Sequence, residues 1–291
     1  MPLAAGVAEA PRPHAHESAR AIARDETRYP QGLRDLADAP ARLWLAGGEP
    51  LPLARSVAIV GSRAASAYGR AFAQQLAADL ASTGLSVVSG LARGIDSAAH
   101  AGALAAGGHT VAVVAAGLEQ PVTDPALGAR IVRSGALASE VAAGPPFGRG
   151  AFVRRNRLIA ALAAVTVVVE ASTRSGALST AAAARALGRR VLAVPGDVDR
   201  PTALGPLQLL REGAGLCAGA ADVLAALPAT SPGRDAPARE RLLAALDATP
   251  RSLEALAERA GLGAAEALAE LVPLEWAGLA IACAGQCWRR G

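Results

Sequence analysis

Lysine is absent from this chain of 291 residues, so all 29 of its basic side chains are arginines. A phosphate-loop lysine, a Schiff-base lysine and a lysine general base are thereby excluded. Aromatic residues make up 3% of the chain. The interior must therefore be built from Ala, Val and Leu, and extended stacking of bases on rings has few side chains to draw on. Three cysteines, Cys217, Cys283 and Cys287, are too few for a disulfide framework. The spacing from Cys283 to Cys287 also lacks the two further ligands of a zinc site. The longest apolar run, Leu158 to Val169, lies between Arg157 and Glu170 and falls short of the roughly 20 residues that cross a bilayer. No continuous apolar stretch marks a secretory signal in residues 1–28, which are expected to form a loose tail. These features lead to the expectation of a cytoplasmic protein with no membrane partner.

What is present is a hydrophobic chain, 52% apolar against 19% charged, which excludes intrinsic disorder. The charges are unevenly placed: residues 56–227 hold 15 arginines and 10 acids, whereas residues 236–291 hold 6 and 7. A polyanion is therefore expected on the middle segment. There, short β-branched runs (Val57–Val60, Leu85–Ser89, Thr110–Ala115, Ala136–Glu140, Val165–Glu170 and Val191–Val194) alternate with alanine-rich helical stretches. Near-continuous apolar strands separated by helices predict an α/β domain with a doubly wound, mostly parallel, Rossmann-like sheet over residues 29–227. The Pro, Ser and Gly of residues 228–235 predict a linker. Three helices and a hairpin over residues 236–291 predict a small winged-helix domain. Its third helix carries Glu266, Glu270 and Glu275 with no arginine, which suits protein contact or regulation better than DNA reading, and Pro273 is expected to kink it.

In an open parallel sheet, ligands bind beyond the carboxyl ends of the strands, where helix N-termini present free N–H groups. Three such loops are built from Gly and Ser with one arginine each: Gly61-Ser62-Arg63, then Ser89-Gly90 through Arg93-Gly94, then Arg174-Ser175-Gly176. Glycine admits a close backbone, serine offers short hydrogen bonds, and arginine supplies a forked permanent cation. Arg149, Arg154, Arg155 and Arg157 fall together without an acid, around the chain's single asparagine, Asn156. Several cations at fixed spacing suit the repeated phosphates of a polymer. A nicotinamide cofactor is not expected, because the glycine pattern after the first strand and the acid after the second are both missing. Asp96 is expected to cap its helix and His100 to fix a neighbouring loop, in preference to a hydrolytic role. Glu170 is expected to orient an arginine. No metal, cofactor or catalytic residue is predicted.

Val60-Gly61-Ser62-Arg63, the block from Ser89 to His100 followed by Gly102 and Leu104, Phe152-Val-Arg-Arg-Asn-Arg-Leu-Ile-Ala160, Val169-Glu-Ala171, Ser175-Gly176 with Thr180-Ala181, and Ala193-Val-Pro-Gly196 together resemble the DNA-processing protein A (DprA/Smf) family. The resemblance runs from about Tyr29 to Leu227, with a weaker winged helix behind it. It implies a non-enzymatic, single-stranded-DNA-binding protein of natural transformation that protects strands, helps to load a RecA-type recombinase, and forms a homodimer. Carried over by position, the strand would meet Gly61, Ser62, Arg63, the Ser89–Gly94 loop, Arg155, Asn156, Arg157, Ser175 and Gly176, with Arg174 beside them. Leu207, Leu209 and Leu210 fall near the family's self-association surface. The rival is a nucleotide phosphoribohydrolase-like enzyme acting through Glu170, whose glycine-rich loop this chain lacks.

Overall fold

A computed structural model describes residues 19–50, 52–146, 148, 150–228 and 238–291. It resolves into two compact units divided between Leu227 and Pro228. Most of the expected linker, and Arg149 of the arginine cluster, lie outside the described residues. Among the described residues no helix is long and apolar enough to cross a membrane, and no group of three or more His, Cys, Asp or Glu is placed to hold a metal ion.

The larger unit runs β1 (Arg20–Ala23), α1 (Gln31–Arg34), β2 (Arg42–Gly47), β3 (Ser56–Val60), α2 (Ala67–Ser82), β4 (Ser86–Ser89), α3 (Ile95–Ala105), β5 (Thr110–Val113), α4 (Pro125–Ser134), β6 (Ala136–Ser139), α5 (Ala151–Ala161), β7 (Val165–Val168), α6 (Ala177–Ala186), β8 (Arg190–Ala193), α7 (Leu204–Arg211), β9 (Gly215–Leu216) and α8 (Ala220–Ala226). Among the described residues the strands form one sheet in the order β1-β2-β6-β5-β4-β3-β7-β8-β9. From β6 to β9 every pairing is parallel, and β2 and β1 add an antiparallel edge. Alternation along each strand feeds two cores. On β3, Ala58 and Val60 face the layer containing Leu158 and Ile159 of α5, while Val57 and Ile59 face Leu76 and Leu80 of α2. The scarcity of large side chains lets helices approach closely. A Cβ on Gly102 of α3 would collide with the Gln74 carbonyl of α2.

The expected parallel sheet and its six strands are present, but the edge differs from expectation. Arg20–Ala23, expected in the loose tail, is strand β1, and its Ile22 is fully buried in the first core. The polar, proline-flanked surroundings of this four-residue strand hide it locally; its burial comes from pairing with β2 in the register Ile22 to Leu43. Helix α5 also begins at Ala151, ahead of the arginine pair where it was expected.

The smaller unit comprises α9 (Ala238–Ala245), β10 (Arg251–Ser252), α10 (Leu253–Ala260), α11 (Ala264–Trp276), β11 (Ala280–Cys283) and β12 (Cys287–Arg290), with an antiparallel sheet ordered β10-β12-β11. Ser252 caps α10 by accepting the Ala255 N–H at 3.3 Å, and left-handed Gly261 closes it. Leu242, Leu256, Leu271 and Leu274 form its core. Helix α11 runs on past Pro273 to Trp276. Its Glu266 pairs with Arg241 at 3.7 Å, and its Glu275 accepts the Trp288 Nε1–H at 2.9 Å.

Because Ile22 is enclosed, Ile22→Ala is expected to lower unfolding free energy by about 2–5 kcal/mol, read by denaturant titration; a loose tail at this position would give no change.

Candidate nucleic-acid interface

The chain leaves β3 toward β4 on one side, while β7 lies on the other. That reversal opens a crevice at the carboxyl ends of the strands. It holds a cavity of about 340 Å³, whose lining includes Gly61, Ser62, Arg63, Asp96, Phe152, Arg155, Asn156, Ser175 and Gly176. Residues from four separate stretches of sequence thus meet in one place.

The loop after β3 is shaped by close packing. A Cβ on Gly61 would lie 2.6 Å from Ile95 Cγ1 and 2.8 Å from the Glu170 carbonyl oxygen, and one on Gly94 would collide with the Ser62 carbonyl. Ser62 N–H donates to the Glu170 carbonyl at 2.6 Å, and Ser62 Oγ accepts the Ala64 N–H at 3.1 Å. Glu170 does not orient an arginine, contrary to expectation. Its carboxylate accepts the N–H of Ser66 at 2.8 Å and the hydroxyl at 2.5 Å, while Ser66 Oγ caps α2 through the Gly69 N–H. The reason is steric: glycine at position 69 leaves the carboxylate room against the helix. Each oxygen of the Glu170 carboxylate thus accepts one hydrogen bond from Ser66.

Arg155 is 4% exposed. It donates through Nη1 to the carbonyls of Gly90 (2.7 Å) and Val113, and through Nε to Asn156 Oδ1 at 3.1 Å. Gly90 exists for this purpose, since a Cβ there would stand 2.6 Å from the guanidinium nitrogens. Burial lowers the Arg155 pKa to about 10, against the pull of Asp96, so it stays charged at neutral pH. Asp96 is not the helix cap, a position held by Gly94. It lies in the first turn and accepts the N–H groups of Gly90 at 3.1 Å and Ala92 at 3.4 Å. Burial raises its pKa, and the nearby Arg155 works against that shift. Asn156 passes the linkage on, donating through Nδ2 to the Gly176 carbonyl at 3.0 Å and Ser179 Oγ at 2.9 Å. Arg155 and Asn156 therefore build the walls of the cavity and have few groups left for a ligand.

Other expected contacts are redirected. Arg157 is taken by Glu140 at 2.7 Å and Asp38 at 2.8 Å, and Arg154 lies 3.6 Å from Glu140. The cluster is free of acids in sequence, but the carboxyl end of β6 brings Glu140 against it. Ser89 is buried, and its hydroxyl donates to the Ile59 carbonyl at 2.7 Å. His100 holds a strand rather than a loop: Thr110 Oγ1 gives its proton to the Val87 carbonyl and accepts from His100 Nδ1 at 2.7 Å. Burial pushes the His100 pKa down to about 3. Leu209 is buried in the core, which removes it from a self-association surface, while Leu207 and Leu210 are half-buried and Leu210 packs against the same cluster.

Of the arginines expected at the site, Arg63, Arg93 and Arg174 are exposed and have no carboxylate partner among the described residues. Arg63 lies over the Phe152 ring, its Cζ 4.8 Å from the centroid. Arg93 and Arg174 sit on the other two loops, next to the lining residues Ala92 and Ser175. Phe152 is 45% exposed and was not anticipated, since low aromatic content argued against ring contacts. Its place in the first turn of α5, three residues before Arg155, is the signal that marks it.

The neutral burial of His100 sets a pH dependence. The unfolded chain binds a proton near pH 6.5 that the folded one refuses until about pH 3. Stability should therefore be lost as pH falls through that window, by about 1.4 kcal/mol per pH unit at most from this group. His100→Gln, which cannot titrate, is expected to flatten the stability–pH curve between those values; an unaltered slope would refute the assignment.

A family model described as DNA recombination-mediator protein A matches residues 20–228, and one described as the DprA winged helix domain matches residues 218–286. The chain is 48% identical over 195 residues to the putative DNA processing protein DprA of Mycobacterium tuberculosis, covering 66% of this chain and 50% of that protein. It is 36% identical over 282 residues to protein Smf of Escherichia coli, covering 91% and 75%. The chain thus spans half the length of the Mycobacterium relative. Among solved structures, DprA of Streptococcus pneumoniae superposes with a TM-score of 0.67 at 34% identity, covering 74% of this chain and 76% of that one. Helicobacter pylori DNA processing protein A, whose single-stranded DNA binding mode has been described, gives 0.63 at 26% identity, covering 72% and 96%. With a family match over residues 20–228 and a winged-helix match C-terminal to it in sequence, the chain belongs to the DNA recombination-mediator protein A family.

Proposed function

We propose that the protein binds single-stranded DNA in the crevice at the carboxyl ends of β3 and β7 and acts in DNA processing during natural transformation. The observation that carries this reading is the placement of Arg63 over the Phe152 ring at a cavity lined by backbone and small side chains. A cation on an aromatic face offers a charge for phosphate and a plane for an unpaired base. Arg93 and Arg174 extend the positive surface along the same loops. Gly61, Ser62, Ser175 and Gly176 let a backbone approach, and the N-terminus of α6 favours an anion there. The Helicobacter pylori relative's single-stranded DNA binding supports the same reading.

The protein works by holding a strand rather than by chemistry: Glu170 is engaged by Ser66, and Asp96 by the loop after β4. It functions in the cytoplasm, as a homodimer that protects the strand and passes it to a RecA-type recombinase. Sequence preference is weak, because backbone amides and guanidinium groups read phosphate and not base edges.

Oligo-dT titrations at several salt concentrations test this reading. Arg63→Ala is expected to weaken binding and to reduce the slope of log K against log salt by about one unit. Arg157→Ala, whose guanidinium faces Glu140 and Asp38, should leave that slope unchanged, and duplex of the same length should bind more weakly. An Arg63→Ala variant with unaltered affinity would overturn the site.

A further inference from the structure

A second cavity, of about 370 Å³, opens at the carboxyl ends of β7 and β8, lined in part by Tyr68, Val169, Glu170, Pro195, Asp197 and Thr202. It shares no lining residue with the switch-point cavity, but the two flank the same loop. The segment after β3 lines one cavity with Gly61 to Ala64 and the other with Tyr68, and the Ser66–Glu170 clasp stands between them. Neighbouring strands lie about 4.8 Å apart, so a chain that crosses the first mouth reaches the second within a nucleotide or two.

The chemistry of this cavity is unlike that of its neighbour. The Tyr68 ring is 61% exposed, whereas the chain's other tyrosine, Tyr29, is buried. Tyr68 is steadied by Phe72 one helical turn on, with ring centroids 6.2 Å apart and planes inclined by 32°. Apolar atoms of Val169 and Pro195 stand across from it. The single arginine of the lining, Arg200, is held by Asp197 at 2.9 Å, and Glu170 adds a second carboxylate. This lining offers phosphate no unpaired cation: Arg200 is held by Asp197, and the Glu170 carboxylate is engaged by Ser66. A flat, neutral group is what it accepts.

We infer that the cavity is a subsite for an unpaired nucleobase, stacked on Tyr68, belonging to the same strand whose phosphates meet Arg63. The inference rests on the strand-binding reading given above and extends it. With no unpaired cation in the lining to hold a phosphate, it is the base that faces the Tyr68 ring. Stacking serves every base alike, so the subsite adds affinity and footprint without sequence preference.

The full chain, Tyr68→Leu and Tyr68→Phe would be titrated with oligo-dT of about two nucleotides, too short to fill both mouths, and of about twelve, a length within the range of known single-strand sites. The ratio of the two affinities is the readout. Tyr68→Leu is expected to shrink that ratio on the order of tenfold relative to the unmodified chain, and Tyr68→Phe to recover most of the loss. An oligomer carrying 5-iodouracil should crosslink to Tyr68 on irradiation. An unchanged ratio in Tyr68→Leu, while the unmodified chain binds both lengths, would overturn the subsite alone. Failure of the unmodified chain to bind either oligomer would overturn the strand-binding reading and the subsite with it. Thymidine monophosphate saturating Tyr68 in preference to the oligomer would overturn the assignment to a polymer.

Discussion

A guanidinium held almost out of solvent needs its donors and its charge answered locally, because desolvating an ion costs several kcal/mol even after relaxation. Around Arg155 that requirement organises the carboxyl edge of the sheet. The carbonyls of Gly90 and Val113, at the ends of β4 and β5, accept from it, as does Asn156. Asp96 contributes the opposing charge. Each partner in turn anchors a loop: Asp96 gathers the N–H groups of Gly90 and Ala92, and Asn156 holds the Gly176 carbonyl. These contacts fix the spacing of the loops that bear Arg93 and Arg174.

The second fastening crosses the switch point. Glu170, at the end of β7, accepts the N–H and hydroxyl of Ser66, the cap of α2. The loop after β3 is thereby joined to the loop after β7. Glycines at positions 61 and 69 leave room for both the backbone and the carboxylate. The loops around the cavity are thereby fastened, so the proposed ligand would have little loop ordering to offset.

Charge on this protein divides by partner. Arg154 and Arg157 share Glu140 and serve the packing of α5 against its surroundings. Arg63, Arg93 and Arg174 remain available to an anion. In the smaller unit, the acids of α11 are answered in part by Arg241 and Trp288, and the helix presents no cation to a phosphate. At the carboxyl edge of the sheet, the carboxylate-free positive charge therefore lies on loop arginines rather than on the densest cluster.

Sequence alone determined what depends on local order. Near-continuous apolar runs such as Val57–Val60 and Val165–Val168 can only be strands buried on both faces. Gly-Ser loops with one arginine, placed after such strands, mark a ligand edge. Tertiary structure decided what depends on residues far apart in the chain. That Arg157 is neutralised follows from Glu140 and Asp38 meeting it in space, and that Arg155 is a strut follows from its burial beneath Gly90. Ile22 became core through pairing with β2, and Phe152 gained its role from Arg63 folding over it. Periodicity records which face of an element is apolar, whereas the partner of a charge is set by the packing of elements whose separation along the chain carries no such signal.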